Sequence, residues 1–240
     1  MDNNDLKNIM TTKRNVENRK QVTHHTHTYE PDLITSGGWA LDLGCNDFII
    51  VRHLLSLGLK VIGMDPIRNI GVPQDLASNP NFIYLQKACV GIKTSETQTY
   101  YEYDAWGANS IYNKPEMLHR PENAGHANNP LKTSYEIELV TISELMATYN
   151  IDQFELIKID TEGAEYEILE NLPKKCAKQL SVEYHDFLGL TPINDVELYH
   201  KQLLEKLDDY FLSHEQIEPL KGSATEFQRD DILYILKDLK

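Results

Sequence analysis

One segment constrains this chain more than any other: Trp39-Ala40-Leu41-Asp42-Leu43-Gly44, a short apolar run that ends on glycine. Such a run, stopped by a turn residue, reads as a buried strand. Phe48, Ile49, Arg52, Leu54 and Leu55 follow at helical spacing, and Gly58 suits the position just past a helix end. Val61-Ile62-Gly63-Met64 is the next strand, ending at Asp65-Pro66, and Phe82-Ile83-Tyr84-Leu85 is a third. Strand, turn, helix and strand in this order open a parallel sheet with right-handed crossovers.

The rest of the chain extends that α/β plan. Phe154–Asp160 is an apolar strand, Gly163 to Leu172 its following helix, and Gln179–Tyr184 another strand. Val196, Tyr199, Leu203, Leu207 and Tyr210 repeat as on a long amphipathic helix. Ile232–Leu236 closes the chain as a strand, paired antiparallel with a segment near Phe211–Ile217. Gln98–Tyr103 and Tyr135–Val140 alternate like strands and form a β insertion. Between them Asp104–Thr133 is a long loop, read either as a lid over the site or as a disordered insertion. Thr141-Ile142-Ser143-Glu144 fits a capping box.

The expected organisation is a polar, flexible or helical extension over residues 1–30 and a single domain over 31–240. His24, His25 and His27 read as part of a solvated segment, since no carboxylate or cysteine completes a metal set nearby. The 37 acidic residues outnumber the 23 basic ones, a net charge of -14 that disfavours a nucleic-acid partner. No apolar run nears the ~20 residues of a membrane span. Met1 to Thr28 lacks a secretory apolar core, and Cys45, Cys89 and Cys176 are isolated, so a reduced cytoplasm is the expected compartment.

Asp42-Leu43-Gly44-Cys45-Asn46-Asp47 occupies the first strand-to-helix turn, where open α/β sheets bind ligands. Asp65 lies 21 positions after Gly44, at the second strand end, where a carboxylate accepts ribose hydroxyls. A dinucleotide pyrophosphate needs glycine amides, yet Gly44-x-Asn46-x-x-Ile49 lacks two of the three glycines. Asp42 and Asp47 would repel it as well. S-adenosylmethionine carries a sulfonium and an ammonium instead, which those carboxylates would attract.

Leu156-Ile157-Lys158-Ile159-Asp160-Thr161-Glu162-Gly163-Ala164-Glu165, followed by Ile168 and Leu169, resembles the signature of FkbM-type methyltransferases. In that family a Lys-Ile-Asp-x-Glu-Gly-x-Glu segment lies downstream of an Asp-x-Gly-x-Asn turn. Ala88, Thr141 to Leu145 and Ser181-Val182-Glu183-Tyr184-His185 also fit, and the resemblance spans roughly residues 38–186. It implies a Rossmann-like class I methyltransferase fold, with a mostly parallel seven-stranded sheet and an antiparallel C-terminal strand. It further implies S-adenosylmethionine as donor and O-methylation of a hydroxyl on a sugar or related small molecule. Asp65 stands where the family more often has Glu, and Phe48 where the turn often has Gly.

The expected cofactor residues are Asp42, Gly44, Asn46, Asp47, Asp65, Ala88 and Asp160, and the expected catalytic residues are Glu162, His185 and Asp160. Glu162 reads as a general base or, equally, as a carboxylate facing a helix dipole. His185 reads as a base or, with Glu183, Asp186 and Asp160, as a Mg²⁺ ligand, and no metal is expected. Lys158, costly to bury alone, is expected to pair with an acid. Trp106, Tyr112, His119, Arg120 and His126 suit sugar recognition by the long loop. The alternatives are a non-catalytic S-adenosylmethionine-binding domain and a nicotinamide-dependent oxidoreductase.

Overall fold

The computed structural model describes residues 11–14, 20–24, 27–68, 70–103, 109–113, 131–185, 187–188, 191–192, 202–203, 205–207, 211–214 and 228–236. The N-terminal segment departs from expectation. Its described part is strand: β1 (Thr11–Arg14) pairs antiparallel with β2 (Lys20–His24), and β2 with β3 (His27–Tyr29). The cause is distant. The Thr28 amide donates to Ser181 Oγ at 3.1 Å, and the Glu30 amide to Gln179 Oε1 at 2.6 Å. Side chains far along the chain thus satisfy a backbone that a polar local sequence leaves unpaired.

The expected α/β core follows. β4 (Trp39–Leu43) leads through α1 (Ile49–Ser56) to β5 (Lys60–Met64), then through the short α2 (Gln74–Ala77) to β6 (Phe82–Leu85). The insertion is β7 (Ala88–Cys89), β8 (Thr97–Tyr103) and β9 (Leu131–Val140), which form a separate sheet in the order β7-β9-β8. Then come α3 (Ile142–Tyr149), β10 (Phe154–Ile159), α4 (Glu165–Glu170) and β11 (Gln179–His185). A two-residue hairpin pair, β12 (Phe187–Leu188) and β13 (Thr191–Pro192), precedes β14 (Phe211–His214) and β15 (Gln228–Leu236). Of the expected amphipathic helix, positions 202–203 and 205–207 are helical with Leu203 and Leu207 buried, while Val196, Tyr199 and Tyr210 lie outside the described residues.

The main sheet runs β14-β15-β11-β10-β4-β5-β6. β11, β10, β4, β5 and β6 are parallel, and β15 runs antiparallel between β11 and β14. Both faces of the central strands are covered. Ala40, Val61 and Leu156 join Val51 and Leu54 of α1 in one core, while Leu41, Ile62 and Ile157 face the other. That is why these strands read as continuous apolar runs rather than alternating ones.

Thr141 completes the capping box of α3, accepting from the Glu144 amide at 3.2 Å while the Glu144 carboxylate accepts from the Thr141 amide at 2.8 Å. The insertion is tied to the loop after β5. The Arg68 amide donates to the Tyr135 hydroxyl at 2.7 Å, and the Arg68 guanidinium lies 4.0 Å from the centre of the Tyr135 ring.

Candidate active site

A cleft opens at the carboxyl ends of β4, β5 and β10, walled on one side by Tyr100, Asn109 and Ile111 of the insertion. A crevice outside the strand ends is where open α/β sheets bind ligands. Gly44 forms its floor at φ +80, where an added Cβ would lie 1.9 Å from the Asp160 carbonyl oxygen. Only glycine fits a left-handed position pressed on neighbouring backbone. Asn46 (φ 26) and Phe48 (φ 62) are left-handed too, so they occupy glycine-like conformations at the positions where glycines are absent. Phe48 is buried, and its ring packs edge-on against Phe82 and Tyr84.

Asp65 ends β5 and lines the cleft. Its carboxylate accepts from the Asn46 amide at 3.0 Å and the Ile67 amide at 2.9 Å. Burial raises its pKa to about 6, opposed by those two amides and by Lys158.

Lys158 organises the floor. Its ammonium lies 3.3 Å from both Asp42 Oδ1 and Asp160 Oδ2, and donates to the carbonyls of Leu43 (3.2 Å) and Gly44 (2.7 Å). Burial pulls the Lys158 pKa down, but Asp42 and Asp160 overcome it and hold the ammonium charged. Burial raises the Asp42 pKa, with Lys158 and His27 opposing. For Asp160 burial acts the same way, but Lys158, His185 and His27 outweigh it and keep the carboxylate ionised.

A second charged group adjoins the cleft. His185 Nδ1 lies 3.2 Å from Glu165 Oε1 and its Nε2 lies 3.4 Å from Glu162 Oε2. Burial disfavours the imidazolium, yet the two carboxylates raise the His185 pKa well above its usual value. Glu165 is fully buried and accepts from the amides of Thr161 and Gly163 as well. Glu162 stands at φ 57 with its carbonyl held by Ser110 Oγ at 2.9 Å, and it precedes α4, whose first turn carries Glu165 and Glu167.

Gly44, Asn46, Asp65, Ala88, Asp160 and Glu162 all line the cleft, as their sequence positions suggest. Two expected cofactor residues do not. Asp42 is fully buried beneath the turn and neutralises Lys158. Asp47 is exposed, and its Oδ1 accepts from the Ile49 amide at 3.0 Å, a turn contact at the start of α1. His185 lies behind Glu162 rather than on the cleft wall.

His27 is buried, not solvated, with Nε2 4.0 Å from Asp160 Oδ2. His24 stacks on His53 of α1 at 3.9 Å between ring centres. Asp160, Glu162 and His185 bring ligand atoms within 4.8 Å of one another, as do His27, Asp160 and Glu183. His25, Trp106, His119, Arg120, His126 and Asp186 lie outside the described residues. Tyr112 is described, and its hydroxyl donates to Glu167 Oε2 at 3.1 Å.

The sequence model of the Methyltransferase FkbM domain matches residues 45–215. The chain belongs to the FkbM methyltransferase family. It is an S-adenosylmethionine-dependent methyltransferase, and its parallel sheet with one inserted antiparallel strand is the Rossmann-like class I fold.

Solved structures of low similarity accompany that match. A TehB-like SAM-dependent methyltransferase from Corynebacterium glutamicum is 12% identical, with TM-score 0.37, over 86% of this chain and 84% of that one. A 16S rRNA adenine methyltransferase from Catenulisporales acidiphilia is 12% identical, with TM-score 0.36, over 95% and 96%. A precorrin 8W decarboxylase from Methanobacterium thermoautotrophicum is 13% identical, with TM-score 0.29, over 83% and 81%. No curated protein matches the chain. Among the described residues no helix is long and apolar enough to cross a membrane.

Proposed function

We propose that this FkbM-family methyltransferase methylates a hydroxyl of a sugar or related small molecule. The observation that carries the reading is the composition of the cleft: Asp65, Asp160 and Glu162 converge on it, and among the described lining residues Lys87 is the one basic side chain. A cleft of that charge suits a neutral, hydroxyl-rich acceptor and opposes the phosphate backbone of a nucleic acid.

In this reading Asp65 accepts the ribose hydroxyls of the cofactor, Gly44, Asn46 and Ala88 approach it through backbone or small side chains, and Asp160 meets its ammonium. Bound S-adenosylmethionine supplies an electrophilic methyl group on a sulfonium. Methyl transfer then requires the acceptor oxygen to be aligned in line with that group and relieved of its proton. In this reading Glu162, which lines the cleft, takes that proton. His185, whose two nitrogens both face carboxylates, orients Glu162 instead of acting as a base. Asn109 and Ile111, the two described residues of 104–133 that line the cleft, support an acceptor-binding role for that segment.

Release of S-adenosylhomocysteine across a panel of sugars, glycosides and other hydroxylated acceptors tests the reading, with RNA oligonucleotides as the competing class. Turnover on RNA and none on hydroxylated small molecules would sink it.

A further inference from the structure

We propose that His27 is a positioning residue of this site: from β3 it fixes the carboxylate of Asp160, and the N-terminal strand is thereby part of the methyl-transfer machinery. The inference rests on the reading that Asp160 faces the bound cofactor. His27 precedes the segment 45–215 that matches the family, so the family match does not bear on it.

The geometry is that of a two-sided clamp. Asp160 Oδ2 has Lys158 Nζ at 3.3 Å and His27 Nε2 at 4.0 Å. The opposite ring nitrogen, Nδ1, lies 3.4 Å from Ser181 Oγ, which sets the orientation of the imidazole. The strand that carries the ring is itself held. The Thr28 amide donates to Ser181 Oγ, and Gln179 bonds both the amide and the carbonyl of Glu30, at 2.6 and 3.1 Å. The side chain is almost sealed from solvent, so displacing it means lifting β3 off β11.

The charges around the ring are Asp160 and Lys158 from β10 and the turn after it, Asp42 from β4, and Glu183 and His185 from β11. His27 and Lys158 act in one direction there, favouring ionised Asp42 and Asp160. Without His27, the partly buried Asp160 carboxylate would keep Lys158 but lose one of its cationic neighbours, and would protonate at a higher pH.

Three variants test this: His27→Ala, His27→Gln and Tyr29→Phe. The last loosens the same strand by removing a 2.7 Å contact to His53 and does not touch Asp160. Calorimetric S-adenosylmethionine affinity is followed from about pH 3 to about pH 8, bracketing ordinary carboxyl and histidine values. His27→Ala should weaken binding about three- to tenfold, the scale of one side of a partly buried charge pair, and move the acid limb to higher pH. His27→Gln should recover neutral-pH affinity but not the acid limb, and Tyr29→Phe should match the wild type. Equal losses in His27→Ala and Tyr29→Phe, or an unchanged His27→Ala, would overturn the proposal. So would saturable Mn²⁺ binding that His27→Ala abolishes, which would make His27 a metal ligand. Asp160→Asn separates the two levels: if it leaves affinity intact, the reading of Asp160 has failed, whereas an effect there without one in His27→Ala defeats the clamp alone.

Discussion

Nδ1 of His185 lies 3.2 Å from Oε1 of Glu165, and both side chains are buried. Breaking such a pair leaves an uncompensated charge in the interior.

His185→Gln should therefore destabilise the fold by about 3–5 kcal/mol at neutral pH, measured by urea unfolding. The pH dependence has two limbs. The folded His185 pKa is raised, so its stabilisation is complete below the unfolded value and is lost as pH rises through the folded one. The folded Glu165 pKa is lowered, so its stabilisation is present above the unfolded value and lost as pH falls through the folded one. The variant should flatten both limbs, and an unchanged stability profile would refute the pairing.

Asp65→Ala should weaken S-adenosylmethionine binding by about 1.5–3 kcal/mol, as expected for hydrogen bonds to a charged acceptor. Because the free carboxyl titrates at about 6, wild-type affinity should also fall as pH drops through that value. Calorimetry of Asp65→Asn should show a profile without that step.

Glu162→Gln keeps the shape of the side chain and removes its charge. A general base is worth about 10²–10⁴ in rate, so turnover should drop by at least about two orders of magnitude while cofactor affinity stays near wild type. Retained turnover with a lowered thermal midpoint would assign Glu162 to structure alone.

Lys158→Met strands Asp42 and Asp160 and should cost about 3–5 kcal/mol of stability. Adding Asp42→Asn should return part of that loss, since the two residues share one interaction. Additive losses in denaturant unfolding would contradict the pairing.

Gly44→Ala sets a methyl group 1.9 Å from the Asp160 carbonyl at a φ of +80. Both the collision and the backbone strain act on β10, so cofactor affinity and thermal midpoint should fall together, by at least about 3 kcal/mol in stability. A variant that binds S-adenosylmethionine normally would show that the turn can relax.

The parts of this architecture that were legible in the sequence are those with local causes. β4, α1 and β5 follow from apolar runs and their spacing, α3 from Thr141 and Glu144, and the place of Asp65 from its distance to Gly44. Lys158 was readable as paired because an amine inside an apolar strand has few other options. What escaped has non-local causes. Residues 27–30 look polar and solvated because their partners, Gln179 and Ser181, lie on β11. Asp42 and Asp47 are five positions apart, yet Asp42 lies on β4 and is buried beneath the floor while Asp47 lies in the turn after it and faces solvent, which composition alone does not separate. Left-handed Phe48 was unexpected because aromatic packing on Phe82 and Tyr84, not glycine, holds it there.

β11 receives β3 from one end of the sequence and β15 from the other. During synthesis the early strand is on hand long before the late one emerges. Until then β11 has a bare edge, and the buried Tyr184 hydroxyl lacks its 2.6 Å partner on Tyr234. The nascent chain thus passes through a stage in which the cofactor floor of β4 and β5 can form while the half of the sheet carrying His185 waits. Such long-range closure is slow and leaves an edge open to wrong pairing.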